Sequence, residues 1–182
     1  MIYVALLRGI NVGGKNSINM KDLKQSFEEA GIQNVVTYIN SGNIIFSDTK
    51  HDRSDLVDIL EDLIKSRFTL EIKVLLLSLD DFNRLMDKLP SNWTNDNQMK
   101  SDVLFLWDEV DQEDILSKIK IAEGIDTVFY VKGALLWSTP RDMVTKSGLV
   151  KLAGNKLYKQ MTIRNVNSTR KIYQLMTSLS EI

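Results

Sequence analysis

The chain has 182 residues, with 23 Lys+Arg against 24 Asp+Glu, one His and no Cys. The lack of cysteine excludes disulfides, thiolate nucleophiles and cysteine-based zinc or iron–sulfur sites, and a single His excludes a multi-histidine metal site. The net charge of −1 argues against a globally basic nucleic-acid binder. We therefore expect no metal and no cofactor. This length suits one domain or two small ones.

The first apolar run, residues 2–7, is shorter than the hydrophobic region of a signal peptide and much shorter than a membrane-spanning helix. No basic segment precedes it. We therefore expect a cytoplasmic protein without a membrane partner.

The first half of the chain has the pattern β-α-β-β-α-β. Residues 2–8 begin with this continuous apolar run, which is typical of a buried strand. Asn19 is the predicted N-cap of a helix that ends before Gly31. The later predicted elements are strands at 35–39 and 43–46, joined through Ser41-Gly42, a helix at 54–67 and a strand at 72–77. This order predicts a ferredoxin-like half.

A second, similar series follows a predicted helix at 80–89 and a polar stretch at 91–101. Its predicted strands are 103–107, 127–131, 134–138 and 161–164, and its predicted helices are 111–121, segments across 143–157 and a last helix from about residue 168. We predict an α+β fold of two ferredoxin-like halves plus a C-terminal helix. The predicted subdomains are 1–78 and 102–182, with 79–101 as a helix and linker.

Two polar loops are predicted to meet at one end of the first sheet. In the ferredoxin-like order strand three returns antiparallel to strand one, so the loop after strand one lies beside the hairpin that joins strands two and three. Gly and Asn are ordinary turn residues, but turn geometry requires no cation, so Arg8 and Lys15 indicate an anionic ligand. The candidate ligand-binding residues at this end are Arg8, Asn11, Gly13, Lys15, Asn40, Ser41 and Asn43.

The loop after strand one imitates a phosphate-binding P-loop. Residues 9–15 fit the first seven positions of G-x-x-x-x-G-K-[ST], but Asn16 stands where the magnesium-binding hydroxyl is required. The next helix is predicted to begin near Met20 rather than at the lysine. We therefore expect a looser anion-binding loop and no true P-loop.

The C-terminal segment is the second concentration of basic residues. From Lys132 onward there are nine basic and two acidic residues, a balance of +7, whereas residues 101–131 have a balance of −6. Arg170 is predicted in the first turn of the last helix, where a bound anion would relieve the unfavourable helix dipole. The candidate residues here are Arg164, Asn165, Asn167 and Arg170.

Residues 6–15, 37–43 and 164–171 together resemble the bacterial domain-of-unknown-function family 1697. Residues 147–152 are similar to a further segment of that family, which adds Lys151 as a candidate ligand-binding residue. Relatives carry a Ser-Lys pair where Val150 precedes Lys151 here, and Trp where this chain has Val166. The resemblance implies an α+β fold of two ferredoxin-like halves and implies no reaction.

Our leading functional hypothesis is a binder of an anionic ligand, such as a phosphate-bearing small molecule or a nucleotide, with RNA as the weaker candidate partner. One alternative is an enzyme that acts on a small anionic substrate without metal or thiol; it would need a carboxylate or Lys with a shifted pKa. The other alternative is a homo-oligomeric interaction module. The sequence predicts no particular catalytic residue and no oligomeric state.

Overall fold

Two antiparallel sheets of four strands each form the frame of the chain, one in each of two units. The computed structural model describes residues 1–181. Unit one comprises Met1–Phe82 and the chain from Ile172, and unit two comprises Asn83–Lys171.

The sheet of unit one has the order β2-β3-β1-β4, and all its neighbouring strands are antiparallel. Strand β1, Ile2–Leu7, lies between two partners, and residues 3–7 are buried on both faces of the sheet, which is why its apolar run shows no polar alternation. The elements that follow it are α1 (Met20–Glu29), β2 (Gln33–Tyr38), β3 (Asn43–Ser47), α2 (Arg53–Phe68), β4 (Val74–Ser78) and α3 (Leu79–Met86).

Helices α1 and α2 pack on one face of this sheet. Leu56, Leu60 and Ile64 recur every four residues and are fully buried on α2, while α1 contributes Phe27. The ring of Phe27 meets Phe46 of β3 edge to face, with centroids 6.1 Å apart. Complete burial of each such side chain contributes about 1.5–3 kcal/mol, so this layer contributes strongly to the stability of unit one.

The predicted ends of α1 are confirmed. The Asn19 side chain accepts hydrogen bonds from the backbone N–H groups of Lys21 and Asp22, as an N-cap does. Gly31 follows the helix with φ +88°, a backbone conformation that glycine adopts without steric cost.

The sheet of unit two has the order β6-β7-β5-β8, again with antiparallel neighbours. Three 3₁₀ helices, Asp108–Val110, Arg141–Lys146 and Lys156–Gln160, connect its elements in the described chain. The strands and α-helices are β5 (Met99–Leu106), α4 (Ile115–Lys118), β6 (Thr127–Val131), β7 (Ala134–Pro140), α5 (Gly148–Leu152), β8 (Met161–Asn165) and α6 (Val166–Ser180).

The predicted helix at 111–121 is reduced to the short α4. Asp111 is buried, and its Oδ1 accepts hydrogen bonds from the Tyr130 hydroxyl at 2.9 Å and the Gly133 N–H at 2.8 Å. Because these tertiary contacts hold Asp111 against the hairpin between β6 and β7, the residue cannot begin the predicted helix.

The helical segments predicted across 143–157 are found as the 3₁₀ helix Arg141–Lys146, helix α5 and the 3₁₀ helix Lys156–Gln160. Ser147 separates the first two, because its hydroxyl accepts a hydrogen bond from the Leu149 N–H and caps α5.

The last helix begins two residues earlier than predicted. The Asn165 Oδ1 accepts a hydrogen bond from the Ser168 N–H at 2.9 Å, so Asn165 takes the N-cap position and α6 starts at Val166. Arg170 therefore stands in the second turn of α6 rather than in its first.

The predicted α+β class is confirmed, with two four-stranded antiparallel sheets, helices between the strands and a C-terminal helix. The two units differ from the predicted subdomains at the end of the chain, where residues from Ile172 belong to unit one. No helix within residues 1–181 combines the length and apolar character needed to cross a membrane.

Candidate functional site

The loop after β1 and the hairpin between β2 and β3 lie side by side at one end of the sheet of unit one. Leu6 of β1 faces Asn43 of β3, and the Leu7 N–H donates to the Gly42 carbonyl at 2.8 Å. The topology thus brings together the two polar loops that the sequence analysis singled out.

Asn11 joins these two loops through its side chain. Its Nδ2 donates to the Ile18 carbonyl at 2.9 Å and to the Asn40 carbonyl at 2.8 Å. Its Oδ1 accepts from the Ile18 N–H at 2.8 Å. Asn11 has φ +53°, a conformation that Asn tolerates better than most residues. The predicted ligand-binding Asn11 therefore positions the loop, and its amide is used within the protein.

In the hairpin, the side chain of Asn43 holds the backbone in a similar way. This side chain is fully buried, and its Nδ2 donates to the Tyr38 carbonyl and to the Ser41 hydroxyl, each at 3.0 Å. Gly42 has φ +78°, and a Cβ at this position would lie 2.7 Å from the Cβ of Leu7. Asn43 and Ser41 thus shape the hairpin, and only glycine fits beside β1 at Gly42.

A cavity of about 520 Å³ opens between this loop and the start of α1. It includes three residues from the predicted set, Asn11, Lys15 and Asn40, together with Lys21, which the sequence analysis missed. Within the described part of the chain, neither Lys15 nor Lys21 forms an ion pair with a carboxylate. The complete lining is Asn11, Gly14, Lys15, Ser17, Ile18, Asn19, Met20, Lys21 and Asn40.

The positive charge of the cavity comes from its lysines rather than from the helix terminus. The N–H groups of Lys21 and Asp22 already donate to the Asn19 side chain, so α1 presents little free N–H at this point. Helix α1 begins at Met20, five residues after Lys15, which departs from the P-loop arrangement as expected.

Arg8 and Gly13 lie near the cavity without lining it. Arg8 is half-buried, and its backbone N–H donates to the Lys73 carbonyl at 3.2 Å. Gly13 is exposed with φ +59°, in a tight turn that the Lys15 N–H closes on the Val12 carbonyl at 3.1 Å.

In unit two, Arg164 is a buried residue of β8 with 7% of its surface exposed. Its guanidinium donates to the Thr162 hydroxyl and to the Ile163 carbonyl, each at 2.9 Å. Burial lowers the pKa of Arg164 to about 10, because the charged form is poorly solvated there. These contacts tie Arg164 to its own strand.

The polar residues that follow Arg164 also make internal contacts. Asn165 caps α6, and the Asn167 Nδ2 donates to the Asn95 carbonyl at 2.9 Å. Arg170 donates to the carbonyls of Trp93 at 2.7 Å and Pro90 at 2.9 Å. This part of the predicted site therefore fastens the segment before β5 to the start of α6.

Lys151 is exposed on the short helix α5. The close approach of the Lys120 side chain, and the repulsion between the two positive charges, lower the pKa of Lys151. Gly148 of the same helix lies directly against the Lys120 backbone, since a Cβ there would stand 1.8 Å from the Lys120 carbonyl oxygen.

Next to Gly148 lies a polar cluster that the sequence analysis missed. The Asp126 carboxylate accepts hydrogen bonds from the Ser147 hydroxyl at 2.6 Å, the Thr139 hydroxyl at 2.7 Å, and the N–H groups of Ala122 and Gly148 at 2.8 Å. Burial raises the pKa of Asp126, but these hydrogen bonds outweigh burial and hold the pKa below its usual value. The donors come from three separate segments, so no sequence motif could have revealed the cluster.

Comparison with known proteins agrees with the resemblance in the sequence. The model of the family described as "Protein of unknown function (DUF1697)" matches residues 1–137. The chain belongs to this family. The predicted family is therefore confirmed.

A solved structure supports the same fold. The chain is similar to the conserved bacterial protein SP0830 from Streptococcus pneumoniae, with 30% identity and a TM-score of 0.82. The similarity covers 96% of this chain and 98% of the pneumococcal chain. No match was found among curated proteins.

Proposed function

We propose that this DUF1697 protein binds a small phosphate-bearing anion in the cavity beside α1. The observation that carries the proposal is the cavity itself, which offers two lysines without carboxylate partners in the described chain. Its volume of about 520 Å³ lies within the range of small-molecule sites. Lysine ammonium groups are effective phosphate ligands because they act as compact point charges.

The composition of the lining favours binding over acid–base catalysis. Among the described residues that line the cavity, none carries a carboxylate or an imidazole. Carboxylates and imidazoles are the commonest general acids and bases, and a lysine serves in their place only when its pKa is shifted toward neutral pH. Lys151, whose pKa is lowered, lies on unit two and is not part of this cavity.

We also infer that both units are ferredoxin-like. The orders β2-β3-β1-β4 and β6-β7-β5-β8 both put the first and third strands of the unit at its centre. In unit one this order is what sets the cavity loop against the hairpin.

Calorimetric titration with inorganic pyrophosphate at low salt tests the proposed function. The double variant Lys15→Gln/Lys21→Gln is expected to raise the dissociation constant at least tenfold, because it removes both cationic contacts. Added salt should weaken binding to the unaltered protein for the same reason.

The matched control is Lys24→Gln, which removes one lysine charge from α1 outside the cavity. It should leave pyrophosphate affinity unchanged. Equal affinity of the double variant and the unaltered protein, or absence of any pyrophosphate binding, would contradict the proposal.

A further inference from the structure

Ile39 has an unusual backbone conformation for its residue type. It lies in the hairpin between β2 and β3 with φ +48°, in the left-handed region. This region is sterically unfavourable for L-residues and most of all for a β-branched side chain. Other non-glycine residues with positive φ in the same half of the chain are mostly asparagines: Asn11, Asn16 and Asn34.

The hairpin forces this conformation on Ile39 from both sides. The carbonyl of Tyr38 accepts a hydrogen bond from Asn43, and the carbonyl of Asn40 accepts one from Asn11. Strain of this kind persists only where the surrounding contacts determine the backbone.

The isoleucine gains little packing in return. Its side chain remains 49% exposed, so the strained position is not compensated by complete burial. Asparagine would fit the same backbone with less strain. An apolar, β-branched side chain at this place is therefore costly for folding. This cost points to a role in binding rather than in stability.

The neighbourhood of Ile39 supports that role. Ile39 directly precedes Asn40, which lines the cavity, and Val12 directly follows Asn11, which also lines it. Asn11 and Asn40 are joined by a hydrogen bond of 2.8 Å, so both aliphatic residues flank the same contact. Val12 is 66% exposed. Val12 and Ile39 do not line the cavity themselves, but each is an exposed aliphatic residue next in the chain to a residue that does.

We propose that Ile39 and Val12 contact the base of a nucleoside phosphate whose phosphate group is bound by Lys15 and Lys21. This inference rests on the proposed function and names its ligand class. A base presents a flat, apolar face, which aliphatic side chains can cover. Two aliphatic residues are too few to shelter the acyl chains of a lipid phosphate, which would require a larger apolar surface.

The test compares ligands that share a phosphate and differ in the base. Nucleoside 5′-monophosphates, ribose 5-phosphate and pyrophosphate are titrated calorimetrically into the full chain. At least one nucleotide is expected to bind tenfold more tightly than ribose 5-phosphate. The variant Ile39→Asn is expected to remove that tenfold advantage and to leave the affinity for ribose 5-phosphate unchanged.

Ile39→Asn should also raise the melting temperature by a few degrees, because asparagine relieves the backbone strain. Loss of nucleotide preference in a more stable protein cannot be attributed to unfolding. The control Val150→Asn replaces another exposed aliphatic residue, on unit two, and should leave both affinities unchanged.

The outcomes separate this inference from the proposed function. If ribose 5-phosphate and pyrophosphate bind but no nucleotide binds more tightly, or if Ile39→Asn keeps the preference, the nucleoside inference is overturned and anion binding stands. A fall in melting temperature for Ile39→Asn would make Ile39 a structural residue and would also overturn it. If no phosphate-bearing probe binds, both proposals fail.

Discussion

Asparagine side chains hold the backbone in place around the cavity. Asn11, Asn19 and Asn43 each direct their amide group to backbone atoms of a loop or helix end. An amide can donate and accept at once, which suits places where the chain turns sharply and backbone groups lose their regular partners. The cavity is thus built by polar residues that a ligand need not touch.

In unit two the Asp126 carboxylate has the corresponding role, and its replacement tests how much one multiply hydrogen-bonded carboxylate contributes to stability. Asp126→Asn turns an acceptor for four donors into a group with a single acceptor oxygen, so at least one buried donor loses its partner. We expect the free energy of unfolding at neutral pH to fall by about 2–3 kcal/mol. Urea unfolding followed by tryptophan fluorescence measures it.

The same variant has a defined pH dependence. The pKa of Asp126 is lowered in the folded protein, so its contribution to stability is present above the ordinary aspartate pKa and is lost as the pH falls through the folded value. The difference between Asp126→Asn and the unaltered protein should therefore shrink in acid. Asp142→Asn, at an exposed position, serves as the control; a difference that stays constant from neutral pH into acid would refute this account.

At the scale of elements, close approach of the backbone determines where α5 can lie. The Cβ of any larger residue at position 148 would overlap the Lys120 carbonyl oxygen. The chain segment before β6 and the first turn of α5 can therefore meet only at a glycine. Lys151 of the same helix lies beside Lys120.

Gly148→Ala is expected to destabilise the protein by about 1–3 kcal/mol or more, because backbone atoms must move to admit the methyl group. Gly154→Ala is the matched comparison, since a Cβ there meets its nearest atom at an ordinary 3.6 Å and the φ angle is not positive. That variant should be neutral or slightly stabilising. Equal midpoints of thermal unfolding for the two variants would show that the close contact is unimportant.

At the scale of the whole molecule, the end of the chain returns to the unit in which the chain began. Helix α6 begins in unit two, but its residues from Ile172 belong to unit one. Ile172 and Met176 are fully buried, and the Tyr173 ring stacks on Phe82 with centroids 6.5 Å apart. Unit one is therefore incomplete without the last part of the chain.

Met176→Ala should consequently lower the stability of unit one by about 2–5 kcal/mol. All three tryptophans, Trp93, Trp107 and Trp137, lie in unit two, so fluorescence follows that unit and cannot be used alone. Hydrogen exchange at the amides of β1 reports on unit one. Ser178→Ala, at an exposed position of the same helix, should leave that exchange unchanged; unaltered β1 exchange in Met176→Ala would contradict the assignment of this segment.

The sequence was informative where local chemistry and periodicity decide the structure. The apolar run of β1 and the cap at Asn19 needed no knowledge of distant residues, and both are found as predicted. The prediction of a helix over 111–121 was too long, because Asp111 accepts hydrogen bonds from Tyr130 and Gly133, which lie far along the chain. Such tertiary contacts have no local signature.

The candidate site was likewise predictable only in part. The order of the strands was enough to indicate that the loop after β1 meets the hairpin, because topology fixes which loops share an end of a sheet. Residue type does not indicate whether an Asn or Arg side chain faces solvent or bonds to the protein's own backbone. The predicted ligand-binding residues Asn11 and Arg170 both donate to backbone carbonyls. Lys21 was missed because an exposed lysine on a helix carries no distinctive pattern.

The side chain of Asn11 alone also holds one wall of the cavity in place. The Ile18 N–H donates to Asn11 Oδ1 rather than to a backbone carbonyl, and the same residue holds the Asn40 carbonyl. Rotation of one side chain would release three hydrogen bonds and free one wall of the cavity, while the sheet behind it stays intact. Opening that wall would therefore break far fewer contacts than unfolding the unit.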